Sequence, residues 1–319
     1  MNKKFPINLI GTSGKILDKN SASMGVDWLE QNGFEVINPV LISREYLRFS
    51  GKESDRAFDV NNLAQMICSA GENQKIIGLA LRGGYGLSPI LPDIDWWTLG
   101  KAVDKGLVLV GHSDFTALSI GLFSKTGKSS LAGPMLSPDF CEKTISSFTW
   151  NSFLSAIDGR FQILVPLEQK LIDSALNIEK AVIWGGNLSI LVSLLGTDYF
   201  PDEQLIKGGI LFLEDINEHP YRIERMLIQL ALSGSLNNQQ AIVFGDFTGY
   251  KLSEIDEDYD INTVLIRVKN FLKKNNLAIP ILTGLPFGHI KDKVTLPIGI
   301  KCNLNANNQG FQIQGDFEI

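Results

Sequence analysis

Short apolar runs alternate with amphipathic stretches along most of the chain. Apolar runs rich in β-branched residues are typical of buried strands, whereas apolar positions three and four residues apart are typical of helices. The runs predict strands at 5–10, 33–38, 75–81, 107–111, 129–133, 181–184, 209–213, 241–245 and 280–284. Helical spacing occurs at 21–31, within 49–70, from 93 onwards, and at 116–122, 148–157, 188–195, 220–232 and 261–272. This alternation predicts an α/β fold with parallel sheets and helices on both faces.

The alternation falls into two parts, separated by a looser stretch. Prolines and polar residues interrupt the pattern between about 137 and 180. We therefore expect an N-terminal domain at 1–138, a linker at 139–180 and a C-terminal α/β domain at 181–319. The last segment, 294–313, alternates around polar turns and predicts a terminal hairpin or a small antiparallel piece.

The composition is that of a globular protein, with 44% hydrophobic and 20% charged residues in 319. The net charge is −6, so the composition gives no sign of the basic surface that nucleic-acid binding needs. Three scattered cysteines have no metal-ligand spacing and leave an odd thiol, which is typical of a reducing compartment. Lys3 and Lys4 precede an apolar run too short for a signal peptide, and no stretch approaches the length of a membrane span. We expect a cytoplasmic protein without a nucleic-acid or membrane partner.

The strand predicted at 107–111 turns abruptly into a helix that begins near Thr116. Such a turn lifts Ser113 above the sheet, beside the free N–H groups and the positive dipole end of the helix. This arrangement indicates a nucleophile elbow, in which the serine attacks and the following N–H holds the oxyanion. The usual Gly-x-Ser-x-Gly pattern has glycine where Phe115 stands. The alternative is that Ser113 and Asp114 only cap the helix.

A glycine-rich loop, Arg82-Gly83-Gly84-Tyr85-Gly86, directly follows the third predicted strand. Its backbone must turn sharply or approach another group closely. The spacing fits neither a P-loop nor a dinucleotide fingerprint, which weakens a role in phosphate binding. The loop could instead donate a second N–H to an oxyanion beside the elbow, or form a tight turn with no further role.

A serine nucleophile needs a base, and the chain has three histidines, His112, His219 and His289. His112 adjoins the serine, so the two side chains diverge, and His219 lies before a helix at the surface or in the site. His289 follows the carboxyl end of a buried strand, where α/β proteins build their sites, and we favour it as the base. Glu214 ends another such strand and could fix the imidazole, with Asp215 as the alternative.

Six stretches of the chain resemble, in the family's own order, the LD-carboxypeptidases, a family of serine peptidases also called muramoyltetrapeptide carboxypeptidases. The stretches are 82–86, 111–117, 133–135, 184–188, 213–220 and 287–289. The resemblance implies a nucleophile Ser113 in the N-terminal domain, with Glu214 and His289 in the C-terminal domain and the active site at their interface. It implies oxyanion donors at the N–H groups of Gly84 and Asp114. The loop Gly11-Thr12-Ser13-Gly14 departs from the Ala-Pro-Ser-Gly that we expect in relatives.

The implied reaction is hydrolysis of the bond before the terminal D-alanine of a murein tetrapeptide, L-Ala-D-Glu-meso-diaminopimelate-D-Ala. It belongs to cytoplasmic peptidoglycan recycling. The family is commonly homodimeric, and no metal or cofactor is implied. The carboxylate of the substrate needs a cationic or N–H-rich receptor. The substrate-binding candidates are Arg82, Tyr85, Trp184, Asn187 and Arg222.

Two other functions remain open. The microcin-C immunity proteins, a related branch, cleave a peptidyl-nucleotide, and Trp184 could stack on the purine. The stretch 214–220 favours the murein branch over this one. The other alternative is a non-catalytic protein whose two lobes bind a ligand between glycine-rich loops.

Overall fold

Two sheets organise the fold in the computed structural model, which describes residues 5–70, 75–166, 175–256 and 258–318. The strands are β1 (Phe5–Ile10), β2 (Phe34–Val36), β3 (Ile76–Ala80), β4 (Leu107–Gly111), β5 (Ser130–Ala132), β6 (Arg160–Pro166), β7 (Leu176–Asn187), β8 (Ile210–Ile216), β9 (Ala241–Thr248), β10 (Ile281–Leu282), β11 (Leu296–Ile298), β12 (Ile300–Ala306) and β13 (Gly310–Asp316). The α-helices are α1 (Lys19–Gln31), α2 (Glu53–Ser69), α3 (Trp96–Asp104), α4 (Thr116–Thr126), α5 (Ser147–Ile157), α6 (Leu188–Ser193), α7 (Glu203–Ile206), α8 (Pro220–Leu232) and α9 (Ile261–Lys274).

The first sheet has the strand order β11-β5-β4-β3-β1-β2. Strands β5, β4, β3, β1 and β2 are parallel to one another, as the apolar runs predicted. Every residue of β4 is buried, because helices cover both faces of the sheet at its centre. The edge strand β11 was not foreseen here, since it comes from the C-terminal part of the chain and pairs antiparallel with β5.

The second sheet has the order β10-β9-β8-β7-β12-β13-β6. Its first four strands are parallel, and the remaining pairs are antiparallel. The hairpin of β12 and β13 confirms the predicted terminal hairpin. The mixed α/β fold with a parallel-rich sheet in each half is therefore the fold that the sequence predicted.

Residues 139–180, expected to be a linker, contain regular structure among the residues described. Helix α5 buries Phe153 in the apolar cluster of the N-terminal sheet, whereas β6 pairs with β13 in the second sheet. Strand β6 alternates between exposed and buried positions, because it is an edge strand with one face on the core. The pattern looked loose in the sequence for that reason. Among the described residues, this helix and this strand connect the two sheets, and the division into 1–138, 139–180 and 181–319 stays a prediction.

Helix α4, which follows the elbow, also packs against β7 and α6 of the second sheet. One apolar cluster accordingly includes Leu109 and Leu118 from the N-terminal half and Phe212 and Phe287 from the C-terminal half. The shared core brings the carboxyl end of β4 close to the carboxyl ends of β7, β8 and β10. Within the described ranges, no helix is both long and apolar enough to cross a bilayer.

Candidate active site

Ser113 occupies the sharp turn between β4 and α4. Its φ is +61°, a left-handed conformation that costs a non-glycine residue on the order of 1 kcal/mol or more. His112 before it and Asp114 after it are buried, whereas Ser113 is only half-buried. A one-turn 3-10 segment, Ser113–Phe115, then leads into the helix. The strained turn leaves Ser113 partly exposed between two buried neighbours, as a nucleophile elbow requires.

The glycine-rich loop lies directly against this serine. A Cβ atom on Gly83 would lie 2.8 Å from Ser113 Cβ and 2.9 Å from Ser113 Oγ, so only glycine fits there. The buried guanidinium of Arg56 donates hydrogen bonds to Gly86 O and Thr12 O. The loop is therefore held in place at the nucleophile, and a phosphate-binding role is not needed to explain its glycines.

The side chain of Asp114 ties the elbow to two other loops. Its carboxylate accepts hydrogen bonds from Ser13 Oγ at 2.6 Å and from Leu87 N at 2.9 Å. Burial raises the pKa of Asp114, and the bond from Ser13 opposes that rise. The backbone N–H of Asp114 lies in the first turn of the helical segment, where N–H groups have no intrahelical acceptor. This position suits donation to a ligand, whereas the side chain binds Ser13 and Leu87.

His289 follows β10 and contacts a fully buried carboxylate. His289 Nδ1 lies 2.8 Å from Glu214 Oε2, and Glu214 Oε1 accepts a hydrogen bond of 3.0 Å from Asn187 Nδ2. Gly288 permits this approach, because it has φ +139° and a Cβ there would lie 3.3 Å from Glu214 Oε2. The carboxylate holds the imidazole through Nδ1 and leaves Nε2 for another partner.

The two halves of the candidate site meet at the elbow. The rings of His289 and His112 are 5.1 Å apart, edge to face, and His112 directly precedes Ser113. Asn187 N–H also donates to Thr116 Oγ1 at the start of α4. No hydrogen bond within the described residues joins Ser113 Oγ to His289. Such bonds often tighten only in the complex with substrate.

The geometry distinguishes Glu214 from its neighbour Asp215. Asp215 accepts hydrogen bonds from the N–H groups of Ser189 and Ile216, both at 2.8 Å. Burial raises the pKa of Asp215 to about 6, with a contribution from Glu214. Asp215 therefore binds backbone near the start of α6, and Glu214 alone of the two contacts His289.

The other two histidines have different partners. His112 Nδ1 lies 3.0 Å from Gly133 O, and burial holds the pKa of this ring well below its usual value. His219 Nε2 lies 3.3 Å from Asp256, and its ring packs on Tyr221. Neither imidazole has a recorded contact with Glu214.

Two of the substrate-binding candidates lie in the loop beside the nucleophile. Arg82 is half-buried and donates to Lys15 O at 2.9 Å. Burial, and then the neighbouring Arg48, lower the pKa of Arg82. Tyr85 is exposed, with its ring 6.0 Å from that of Phe49. In the part of the chain that the structure describes, no carboxylate forms an ion pair with Arg82.

The structure corrects two other candidates and leaves a third at the surface. Trp184 is fully buried, and its Nε1 donates to Gln239 Oε1 at 2.9 Å, so its ring cannot contact a ligand. Asn187 is also buried, and its amide donates to Glu214 and Asp215. Arg222 is exposed on α8, where its recorded contacts are with Tyr221 and Glu218.

Comparison with known proteins matches this architecture to one family. The model of the LD-carboxypeptidase N-terminal domain matches residues 7–133, and that of the C-terminal domain matches residues 180–304. The chain belongs to the LD-carboxypeptidase family. It is accordingly a hydrolase of the serine carboxypeptidase class, which confirms the resemblance drawn from the six sequence stretches.

Relatives of this LD-carboxypeptidase carry two kinds of name. The crystal structure of muramoyltetrapeptide carboxypeptidase from Oxalobacter formigenes is 36% identical, with a TM-score of 0.83 over 98% of this chain and 100% of that one. A probable murein peptide carboxypeptidase of Bacillus subtilis is 28% identical over 88% of this chain and 82% of the relative. The microcin C7 self-immunity protein MccF of Escherichia coli is 26% identical over 92% and 88%, respectively.

Sequence reasoning missed a buried ion pair next to the elbow. Lys293 Nζ lies 2.6 Å from Asp139 Oδ1 and 3.3 Å from His112 Nε2. One signal was available, namely a lysine four residues after His289 at the start of an apolar run. The position of Asp139, in the expected linker, offered none.

Proposed function

We propose that the protein hydrolyses the bond before the terminal D-alanine of murein tetrapeptides, with Ser113 as nucleophile, His289 as base and Glu214 as its carboxylate partner. The observation that carries the proposal is the 2.8 Å contact of His289 with buried Glu214, beside the strained Ser113 turn. A buried carboxylate on one ring nitrogen is the arrangement that a general base in acyl transfer needs.

In acylation, His289 Nε2 takes the proton of Ser113, and Ser113 Oγ attacks the carbonyl carbon of the diamino acid. The negative charge that develops on the carbonyl oxygen is stabilised by the N–H groups of Gly84 and Asp114. Each such donor is worth about 3 kcal/mol of barrier in comparable hydrolases. His289 then protonates the nitrogen of the scissile bond, the C–N bond breaks, and D-alanine leaves with a neutral amino group.

In deacylation, a water molecule takes the place of D-alanine. His289 removes its proton, the hydroxide attacks the ester carbonyl, and the same two N–H groups hold the oxyanion. Collapse of this intermediate returns the proton to Ser113 and releases the shortened peptide. Throughout both steps Glu214 keeps the proton of the neutral imidazole on Nδ1 and stabilises the charged form.

The substrate ends in a carboxylate, and the site offers a matching cation. Arg82 is half-buried, two residues before Gly84, and has no carboxylate partner among the described residues. We assign it the terminal carboxylate, with exposed Tyr85 beside it. Two relatives named as murein peptide carboxypeptidases support this substrate class.

The proposed setting is cytoplasmic peptidoglycan recycling, with the protein as a homodimer. The odd number of thiols supports a reducing compartment. Burial raises the pKa of the Cys302 thiol to about 12 and that of Cys141 to about 11, so neither thiol is reactive near neutral pH. Sedimentation of the purified protein tests the dimer.

A second candidate is cleavage of a peptidyl-nucleotide, because MccF is a relative over most of its length. It would use the same triad on an acyl group that is linked to a sulfamoyl nucleoside. The burial of Trp184 removes the aromatic platform that we expected to stack on a purine. A non-catalytic ligand-binding protein is disfavoured by the family to which the chain belongs.

The test compares two substrates by mass spectrometry. Purified protein is incubated in parallel with the murein tetrapeptide and with an aminoacyl sulfamoyl adenylate. We expect release of D-alanine from the tetrapeptide and much slower cleavage of the nucleotide. A tetrapeptide with terminal L-alanine is the control for stereochemistry. Preferential cleavage of the nucleotide would overturn the murein assignment while leaving the triad intact.

A further inference from the structure

The segment that follows His289 is fastened to the N-terminal half of the molecule. Thr149 Oγ1, on α5, donates to Lys291 O at 2.7 Å and accepts from Lys293 N at 2.9 Å. Ser146 Oγ donates to Asp292 Oδ1 at 2.5 Å. Because α5 packs on the N-terminal sheet, these bonds fix the chain just after the proposed base relative to the domain that carries the proposed nucleophile.

The side chain of Lys293 continues from this segment into the N-terminal half. It is 1% exposed, and its ammonium contacts Asp139 at 2.6 Å and His112 Nε2 at 3.3 Å. Asp139 is also buried and accepts a hydrogen bond from Met135 N at 2.8 Å. Leaving either charge buried without its partner would cost several kcal/mol, so the pair permits little relative movement of the groups.

The contacts of His112 fix its tautomer. Its Nδ1 faces the carbonyl of Gly133 at 3.0 Å, and a carbonyl only accepts, so the ring proton lies on Nδ1. Nε2 then accepts from the ammonium of Lys293. Burial, Lys293 and His289 all lower the pKa of His112, so the ring stays neutral. A neutral imidazole held at both nitrogens has a fixed position, and the ring of His289 packs edge to face against it.

We propose that Lys293 is a positioning residue, whose ammonium, held between Asp139 and His112, sets the Ser113 elbow against the segment that carries His289. The inference rests on the proposed triad. Lys293 reaches the elbow through His112, whose ring lies 5.1 Å from that of His289. Misplacement of reacting groups by about 1 Å can lower a rate about 100-fold. The loss of Lys293 should therefore lower kcat more than it raises KM.

The first test replaces Lys293 by methionine, which keeps the length of the side chain and removes the charge. We expect kcat for the tetrapeptide to fall by roughly 10- to 100-fold, with KM changed by less than about twofold. Labelling of Ser113 by a small phosphofluoridate should slow by a similar factor. Lys291→Met is the matched control, because the exposed ammonium of this lysine in the same segment pairs with Glu142 at the surface, and the rates of the variant should equal those of the wild type.

A second variant separates positioning from folding. Lys293→Met leaves Asp139 buried and unpaired, so it should unfold at a lower temperature than the wild type. Lys293→Met/Asp139→Asn removes both charges and should regain much of that stability. We expect kcat to stay low in the double variant, because His112 Nε2 still lacks the ammonium of Lys293 as its donor. If kcat recovers together with stability, Lys293 is merely structural and the proposal is overturned.

The tautomer gives an independent readout. Nitrogen-15 NMR should find the proton of His112 on Nδ1 in the wild type, and a proton on Nε2 would overturn the assignment. Ser113→Ala distinguishes this inference from the function on which it rests. Loss of turnover in Ser113→Ala together with full kcat in Lys293→Met would defeat the inference alone. Retained turnover in Ser113→Ala would defeat both.

Discussion

Replacement of Glu214 by glutamine probes the most closely defined contact of the proposed triad. Glu214 Oε2 lies 2.8 Å from His289 Nδ1, and Glu214 Oε1 accepts from Asn187 Nδ2 at 3.0 Å. Asn187 cannot turn its amide round, because its Oδ1 already accepts hydrogen bonds from Ile190 N and Ser189 Oγ. The introduced amide must therefore point its oxygen at Asn187 and its NH2 group at His289.

An NH2 group that faces Nδ1 makes this nitrogen an acceptor, so the imidazole proton moves to Nε2. Nε2 is the atom that must take the proton of Ser113, and the base is then in the wrong tautomer. The equivalent acid-to-amide change in another serine hydrolase lowers kcat roughly 10⁴-fold, about 5 kcal/mol of barrier. We expect a fall of that order here with KM nearly unchanged, because the substituted atoms are fully buried.

The assay is D-alanine release from the tetrapeptide, with circular dichroism as the check on folding. Asp215→Asn is the matched control. This neighbouring carboxylate contacts Ser189 N, Ile216 N and Asn187 rather than His289, so its replacement should leave most of the wild-type kcat. A folded Glu214→Gln protein with more than about a tenth of the wild-type kcat would refute the reasoning.

Three further changes separate the site from its surroundings. Gly83→Ala places a methyl group 2.8 Å from Ser113 Cβ, so the loop or the elbow must shift; kcat should fall at least about 100-fold and the melting temperature should also fall, measured by D-alanine release and calorimetry. Trp184→Phe removes the hydrogen bond to Gln239 and should lower the free energy of unfolding by about 1–3 kcal/mol. Its KM for the tetrapeptide should not change, and a raised KM would mean that Trp184 contacts substrate after all. The pKa of Asp215 is raised from 3.8 to about 6, so the folded state binds the carboxyl proton more tightly than the unfolded state does. The stability that this proton contributes is present below pH 4 and is lost as the pH rises through 6. Urea unfolding should show Asp215→Asn gaining about 2 kcal/mol relative to the wild type between pH 4 and 7, whereas a constant difference would contradict the shift.

The parallel core was predictable because each buried strand appears in the sequence as an unbroken apolar run. Strand β4 has all five residues buried and was predicted with its observed bounds. Helix α8 likewise begins at Pro220, where a proline fits the first helical position and has no N–H to satisfy. Local signals of this kind depend only on neighbours along the chain.

Pairing between distant segments was not predictable in the same way. Strand β6 is half exposed, and its partner β13 lies near the other end of the chain, so the region was expected to be a linker. The pairing of β11 with β5 in the N-terminal sheet also depends on a chain crossing that no short pattern signals. Such contacts are decided by how the two halves pack.

Residues of the candidate site that lie on sharp turns could be predicted from the sequence. Residues whose role depends on the direction of the side chain could not. Ser113 and Gly83 lie on sharp turns that break apolar strands, which is visible in the sequence. Trp184 and Asn187 both lie in β7, and a motif does not say that one ring enters the core while the other side chain meets Glu214.

The most direct measurement of the central claim is the site of acylation. The protein is mixed with the murein tetrapeptide, quenched with acid during turnover, digested and mapped by mass spectrometry. We predict an ester of the shortened peptide on Ser113, absent from Ser113→Ala, and a free D-alanine for each turnover. Undiminished D-alanine release by Ser113→Ala, with no adduct on residue 113 of the wild type, would contradict the account.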